Sequence, residues 1–143
     1  MIVLDTNIVS EVMRPVPNAQ VLDWLDTQLA ETLYITSITW AELTLGLERM
    51  PAGKRKNNLV ESLKTIRSEI FGDRILPFDE AAVAHYGTLM AMTQKKGQIL
   101  GIPDGQIAAI AFAQRLTVAT RDIAPFVAAG LKVINPWANR LSD

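Results

Sequence analysis

Four acidic residues of this chain stand in or beside apolar segments, where a lone carboxylate is costly unless something compensates it. They are Asp5 in IVLDTN, Glu42 in ITWAELTLG, Asp104 in IPDGQIAAIA and Asp122 in VATRDI. Most other acids, among them Asp23, Asp26, Glu31, Glu48, Glu61, Glu69, Asp79 and Glu80, fall where solvated helix faces or caps are expected. Each of the four has a plain structural account too. Asp5, Asp104 and Asp122 precede expected helices and suit N-caps, while Glu42 follows Thr39 by three residues, the spacing of a capping box. Jointly they mean more, because carboxylates gathered at one edge repel one another and require cations.

The remaining donors restrict the cation. The chain has no cysteine, which removes disulfides, thiolate nucleophiles and cysteine-bearing metal sites. Its single histidine, His85, lies in an expected mid-helix position and reads as a surface or core residue, so zinc sites built on nitrogen and sulfur are not expected. Oxygen-only ligands select Mg²⁺ or Mn²⁺, and two such ions on a carboxylate cluster suit in-line phosphodiester displacement by an activated water. Other site types fail on motif: there is no G-x-x-x-x-G-K-[ST] loop, G-x-G-x-x-G fingerprint or G-x-S-x-G elbow. The segment DTN lacks the second acid of an aspartyl-phosphate D-x-D motif. A phosphotransfer or phosphatase domain and a non-catalytic binding module stand as the rival readings.

The elements that must position these residues follow from periodicity. Met1 to Leu4 read as a buried strand feeding a helix from Thr6, and Asn18 to Leu29 as a second helix through Val21, Leu22, Leu25 and Leu29. Leu33 to Thr36 make strand two, Ser37 to Met50 a helix stopped by Pro51 and Gly53, and Lys54 to Phe71 an amphipathic helix. Ile75 to Phe78 make strand three, Asp79 to Lys96 a helix with an Asp cap, and Gly97 to Pro103 a loop. Asp104 to Gln114, Thr117 to Thr120, Ile123 to Ala129 and Lys132 to Ile134 complete the series as helix, strand, helix and strand. Alternation at this spacing implies right-handed crossovers and a parallel sheet covered on both faces, with function at the carboxyl ends of the strands. One α/β domain over residues 1–143 is expected, with no repeat or linker to divide it. No apolar run approaches a bilayer span and the start lacks a leader pattern, so a cytoplasmic protein with no membrane partner is expected.

The formal net charge of −1 runs against a nucleic-acid partner at first sight. If four of the 15 acids hold cations, however, the 11 left are outnumbered by 14 bases. Lys54, Arg55 and Lys56 form one basic cluster and Lys95 and Lys96 another, each either a contact for RNA phosphate or a solvated helix end. Trp24, Trp40, Met90 and Met92 read as core residues that could alternatively line a partner or dimer face.

The segments LDTNIVSE, TSITWAELTLG, ILPFD, PDGQIAAIA, VATRD and INPW, spread from Met1 to Trp137, resemble the PIN-domain nucleases, in particular VapC/FitB-like toxins of toxin–antitoxin pairs. The resemblance implies that Asp5, Glu42, Asp104 and Asp122 take the family's four acidic, metal-holding positions, with Thr6, Asn7 and Thr120 orienting water, metal or carboxylates. It further implies a five-stranded parallel sheet in the order 3-2-1-4-5, a homodimer, a cognate VapB/FitA-like antitoxin, and cleavage of RNA leaving 5′-phosphates. Many relatives read T-R-N-x-x-D-F near the end, whereas this chain reads TRDIAPF with Pro125 where the second acid often stands. The FitB-like branch shares the TRD arrangement, which assigns the fourth role to Asp122.

Overall fold

The computed structural model describes residues 1–138. The expected sheet is present: strands β1 (Ile2–Leu4), β2 (Leu33–Thr36), β3 (Ile75–Leu76), β4 (Thr117–Ala119) and β5 (Val133–Ile134) pair in parallel in the order β3-β2-β1-β4-β5. The chain builds outward from β1 through β2 to β3, then returns to lay β4 along the other side of β1. The crevice at this reversal, between β1 and β4, is where such sheets hold ligands.

Among the described residues seven α-helices cover the two faces: α1 (Thr6–Val12), α2 (Ala19–Asp26), α3 (Ser37–Glu48), α4 (Lys54–Thr65), α5 (Glu80–Lys95), α6 (Ile102–Gln114) and α7 (Ile123–Ala128). Strand side chains divide between the faces with the period of two that a pleated strand imposes. Val3 and Val118 bury on the face covered by α5, α6 and α7, while Leu4, Ile35 and Ala119 bury on the face covered by α1 to α4. Both faces are apolar, so the strands read as continuous runs, as expected of a buried parallel sheet. Trp24 and Trp40 pack against one cluster and Met90 and Met92 against the other. The His85 ring of α5 lies tilted against the exposed Phe112 ring of α6, ring centroids 4.8 Å apart.

Three expectations about helix ends need correction. The segment expected as one helix over Lys54 to Phe71 changes to a π-helix at Ile66–Phe71, closed by the Gly72 N–H donating to the Arg67 carbonyl at 2.9 Å. The loop expected over Gly97 to Pro103 is shorter, since α6 starts at Ile102 with Gly101 as N-cap and a proline in its first turn, where proline costs nothing. Asp104 is therefore not the N-cap but a residue of the first turn. Nor does Glu42 close a capping box. The N-cap of α3 is Thr36, whose hydroxyl accepts the Thr39 N–H, and Glu42 lies further along the helix. No helix among the described residues is long and apolar enough to cross a membrane.

Candidate active site

Asp5 is the single residue between β1 and α1, and its N–H still completes the sheet by donating to the Ala119 carbonyl at 2.9 Å. Its side chain points into the crevice between α1 and β4 and is only 3% exposed. The Thr6 N–H donates to Oδ1 at 2.8 Å, and the Thr120 hydroxyl to Oδ2 at 2.7 Å, with the Asn7 amide 3.4 Å from that same oxygen. Asp5 is thus an N-cap as well as a site residue, and the two readings of it are compatible. Thr120 also accepts from Asn7 Nδ2 at 3.3 Å and from the Asp122 N–H at 3.1 Å. One donor and two acceptor positions exhaust a hydroxyl, so Thr120 is fixed in rotation and fixes Asp5.

Glu42 projects from α3 towards the start of α1, where its Oε1 accepts the Thr6 hydroxyl at 2.6 Å. Asp104, half-buried, comes from the first turn of α6. That turn can sit close to α5 because residue 105 is glycine: a Cβ there would run into the Met90 thioether and the Tyr86 ring. Asp122 is exposed at the start of α7 and makes no capping bond with its side chain. All four acids expected from the sequence, with Thr6 and Asn7, line one cavity of about 560 Å³. Thr120 stands directly behind Asp5.

The electrostatics follow from that crowding. Burial pushes the Asp5 carboxyl above its ordinary value, more than the Thr120 and Thr6 hydrogen bonds lower it, and the charges of Glu42 and Asp122 push the same way. Asp104 is pushed up to about 6, first by burial and then by Asp5, Glu42 and Asp122. Among the described residues no hydrogen-bond donor compensates it. Such a group is neutralised either by a proton or by a cation.

The sequence reading missed Glu11, Arg14, Arg121 and Trp137, which line the same cavity. Glu11 is buried on α1, yet its carboxyl lies below its ordinary value: burial opposes the charge, but the Asn18 N–H, Arg14 and Trp137 outweigh it. Arg14 Nη1 is 3.0 Å from both Glu11 oxygens. Asn7, Glu11 and Arg14 are spaced i, i+4, i+7, one helix face, and that was the available signal. Arg121 stacks over Trp137 at 5.2 Å.

The donor set fits a hard divalent cation: carboxylates with hydroxyl and amide oxygens, and no sulfur or imidazole. Asn7 Oδ1 adds an observation of its own, being a buried acceptor with no hydrogen-bond partner although its amide nitrogen is engaged. Among the described residues no three acids close into a cage around one point. Mg²⁺ does not demand one, since it binds through one or two carboxylates and keeps several waters.

Residues 2–130 match the family model described as PIN domain. The chain belongs to the PIN-domain family. This PIN domain is similar to VapC ribonuclease Y4jK of Sinorhizobium fredii, 49% identical over 96% of this chain and 98% of that one. It is 46% identical to toxin FitB of Neisseria gonorrhoeae, over 96% of this chain and 99% of the relative. Among solved structures it resembles FitAB bound to an IR36 DNA fragment, with a TM-score of 0.93, 42% identity and full coverage of both chains.

Proposed function

We propose that this PIN domain is a Mg²⁺- or Mn²⁺-dependent endoribonuclease, the toxin of a toxin–antitoxin pair, working in the cytoplasm as a homodimer. The observation that carries the reading is geometric: Asp5, Glu42, Asp104 and Asp122 line one cavity, a crowding that, with burial, pushes the Asp104 carboxyl up to about 6. The names of the relatives support the same activity: one is a ribonuclease and one a toxin. Asp5, Glu42, Asp104 and Asp122 would hold the cation, which when bound supplies a Lewis acid for the phosphoryl oxygen and lowers the pKa of a water.

The chain's own groups do the positioning. Thr120 and the Thr6 N–H hold the two oxygens of Asp5 at the strand end, so that this carboxylate does not reorganise during the reaction. The Thr6 hydroxyl ties Glu42 to the same turn. Burial and the neighbouring acids push the Asp104 carboxyl up to about 6, so a cation held there would take the place of its proton. The substrate is single-stranded or loop RNA, cleaved to leave 5′-phosphates. A VapB/FitA-like antitoxin silences the activity, a reading supported by the relative named toxin FitB and by the similar structure having been solved as FitAB.

Digestion of single-stranded RNA by the purified protein tests this. Cleavage is expected with Mg²⁺ or Mn²⁺ and none with EDTA, and Asp104→Asn should lower cleavage with either metal by about 10²-fold or more. Equal cleavage with Mg²⁺ and EDTA would overturn the metal requirement, and full activity in Asp104→Asn would overturn the site.

A further inference from the structure

A second cavity, of about 710 Å³, opens beside the acidic one and shares Thr6, Ser10, Arg14 and Glu42 with it. Its character is reversed. Among the described residues Glu42 is its one acid, while Arg14, Lys54 and Arg55 line it with positive charge and Met13, Leu43, Leu47 and Leu59 with apolar surface. We propose that this cavity is a subsite for the nucleotide next to the scissile bond of single-stranded RNA, its base on the apolar lining and its phosphate on Lys54 and Arg55. The proposal rests on the ribonuclease reading of the neighbouring acids.

Three observations converge on it. Gly46 lies in the interior of α3, four residues past Glu42, and lines the cavity. Glycine weakens a helix interior relative to alanine, yet a Cβ at 46 would meet nothing within 4 Å, so internal packing does not require it. What the missing side chain provides is room in the cavity.

The second observation is charge placed against the local field. The first turn of α4 carries Lys54, Arg55 and Lys56 and no acid, although a helix N-terminus is electropositive and favours anions. Lys56 donates to the Glu48 carbonyl at 3.4 Å, but Lys54 and Arg55 form no ion pair among the described residues. An anion of the ligand relieves that repulsion, and a base stacked on apolar side chains completes a nucleotide.

Third, the two cavities are neighbours that share four lining residues, and one of these is Arg14, held by Glu11. A polyanion crossing the cation-holding acids therefore runs on to a basic surface instead of into solvent. RNA accounts for both halves of the lining at once. An apolar protein segment would account for the leucines and leave the exposed bases without a partner.

The test measures binding of a short labelled single-stranded RNA by fluorescence anisotropy in Mg²⁺, in an Asp104→Asn background so that the probe survives, and cleavage kinetics in the otherwise wild-type chain. Lys54→Ala with Arg55→Ala is expected to weaken binding about tenfold and to flatten the logarithmic salt dependence by roughly 0.7 for each phosphate no longer neutralised. The kinetic loss should fall on KM more than on kcat. Gly46→Leu is expected to raise Tm by about 3 °C while weakening RNA binding, a pairing that a purely structural role would not produce. Unchanged affinity and salt slope in both variants, with wild-type cleavage intact, would overturn the subsite and spare the ribonuclease reading. Full RNA affinity with antitoxin inhibition abolished would overturn it in favour of a protein segment. Wild-type protein that neither binds nor cuts RNA would remove the foundation of both readings.

Discussion

The two sides of the acidic cavity treat the same chemical group in opposite ways. On the β1–α1 side the carboxylates are supplied with donors: Asp5 has Thr6, Thr120 and Asn7, and Glu11 has Arg14 and the Asn18 N–H. On the α6–α7 side Asp104 and Asp122 have no side-chain donor among the described residues, and Asp104 is pushed up to about 6. A compensated carboxylate is stabilised by the fold itself, whereas an uncompensated one is neutralised only by a proton or a cation. The difference predicts that acids sharing one cavity will answer to mutation and pH differently.

The largest effects should come from removing one acid on each side. Asp5→Ala and Asp104→Asn should each lower RNA cleavage about 10²- to 10³-fold, as loss of a preorganised electrostatic group does. Stability should separate them. Asp5→Ala leaves the buried Thr120 hydroxyl and a helix cap without their acceptor and should lose about 1–3 kcal/mol by denaturant unfolding. Asp104→Asn removes a repelled charge and should leave metal-free stability equal or higher. The hydrogen bonds of Asp5 are the reason to separate the two variants. Equal stability of the two variants would erase the comparison.

The next effect is in pH and metal. Because the folded carboxyl of Asp104 titrates near 6 against an ordinary 3.8, the folded state binds the extra proton between those values. Its ionised form burdens the metal-free fold at neutral pH, so its contribution to stability should rise as pH falls from 7 towards 4. On the proposed reading magnesium would compete with that proton. It should raise Tm at pH 7.5, less at pH 5.5, and not at all in Asp104→Asn, as read by thermal melts with and without EDTA. A Mg²⁺-induced Tm shift independent of pH would show that Asp104 is not the group neutralised.

The parts of this architecture that could be read from sequence are those set by short-range pattern. The runs at Met1 to Leu4, Leu33 to Thr36 and Thr117 to Thr120 mark strands because their apolar residues serve two buried faces. Asp5, Glu42, Asp104 and Asp122 stand out because an acid in such a run needs a reason. Helix ends were harder to place. Ile102 and Pro103 begin α6 ahead of Asp104, and Thr36 caps α3 directly from the end of β2, leaving Glu42 free to reach Thr6. Glu11 and Arg14 were passed over because an i, i+3 pair on a helix ordinarily marks a solvated face. Only the return of the chain at Trp137 and the entry of Asn18 bury that pair's acid.

The smallest effect sharpens the comparison most, because its sign is reversed. The Glu11 carboxyl lies below its ordinary 4.5 in the fold, so the stability it contributes is present above that value and is lost as pH falls through the lowered one. Glu11→Gln keeps the shape and removes the charge that holds Arg14. Melts of the variant against wild type should show a modest deficit at pH 7 that closes as the pH drops below 4.5. Asp104→Asn should show the opposite: an advantage over wild type at pH 7 that closes between about 6 and 4. Two acids lining one cavity would then carry pH slopes of opposite sign, one set by donors within the chain and the other by the lack of them. If both variants shift in the same direction, the cavity behaves as one pool of charge and the division between scaffold and ligand disappears.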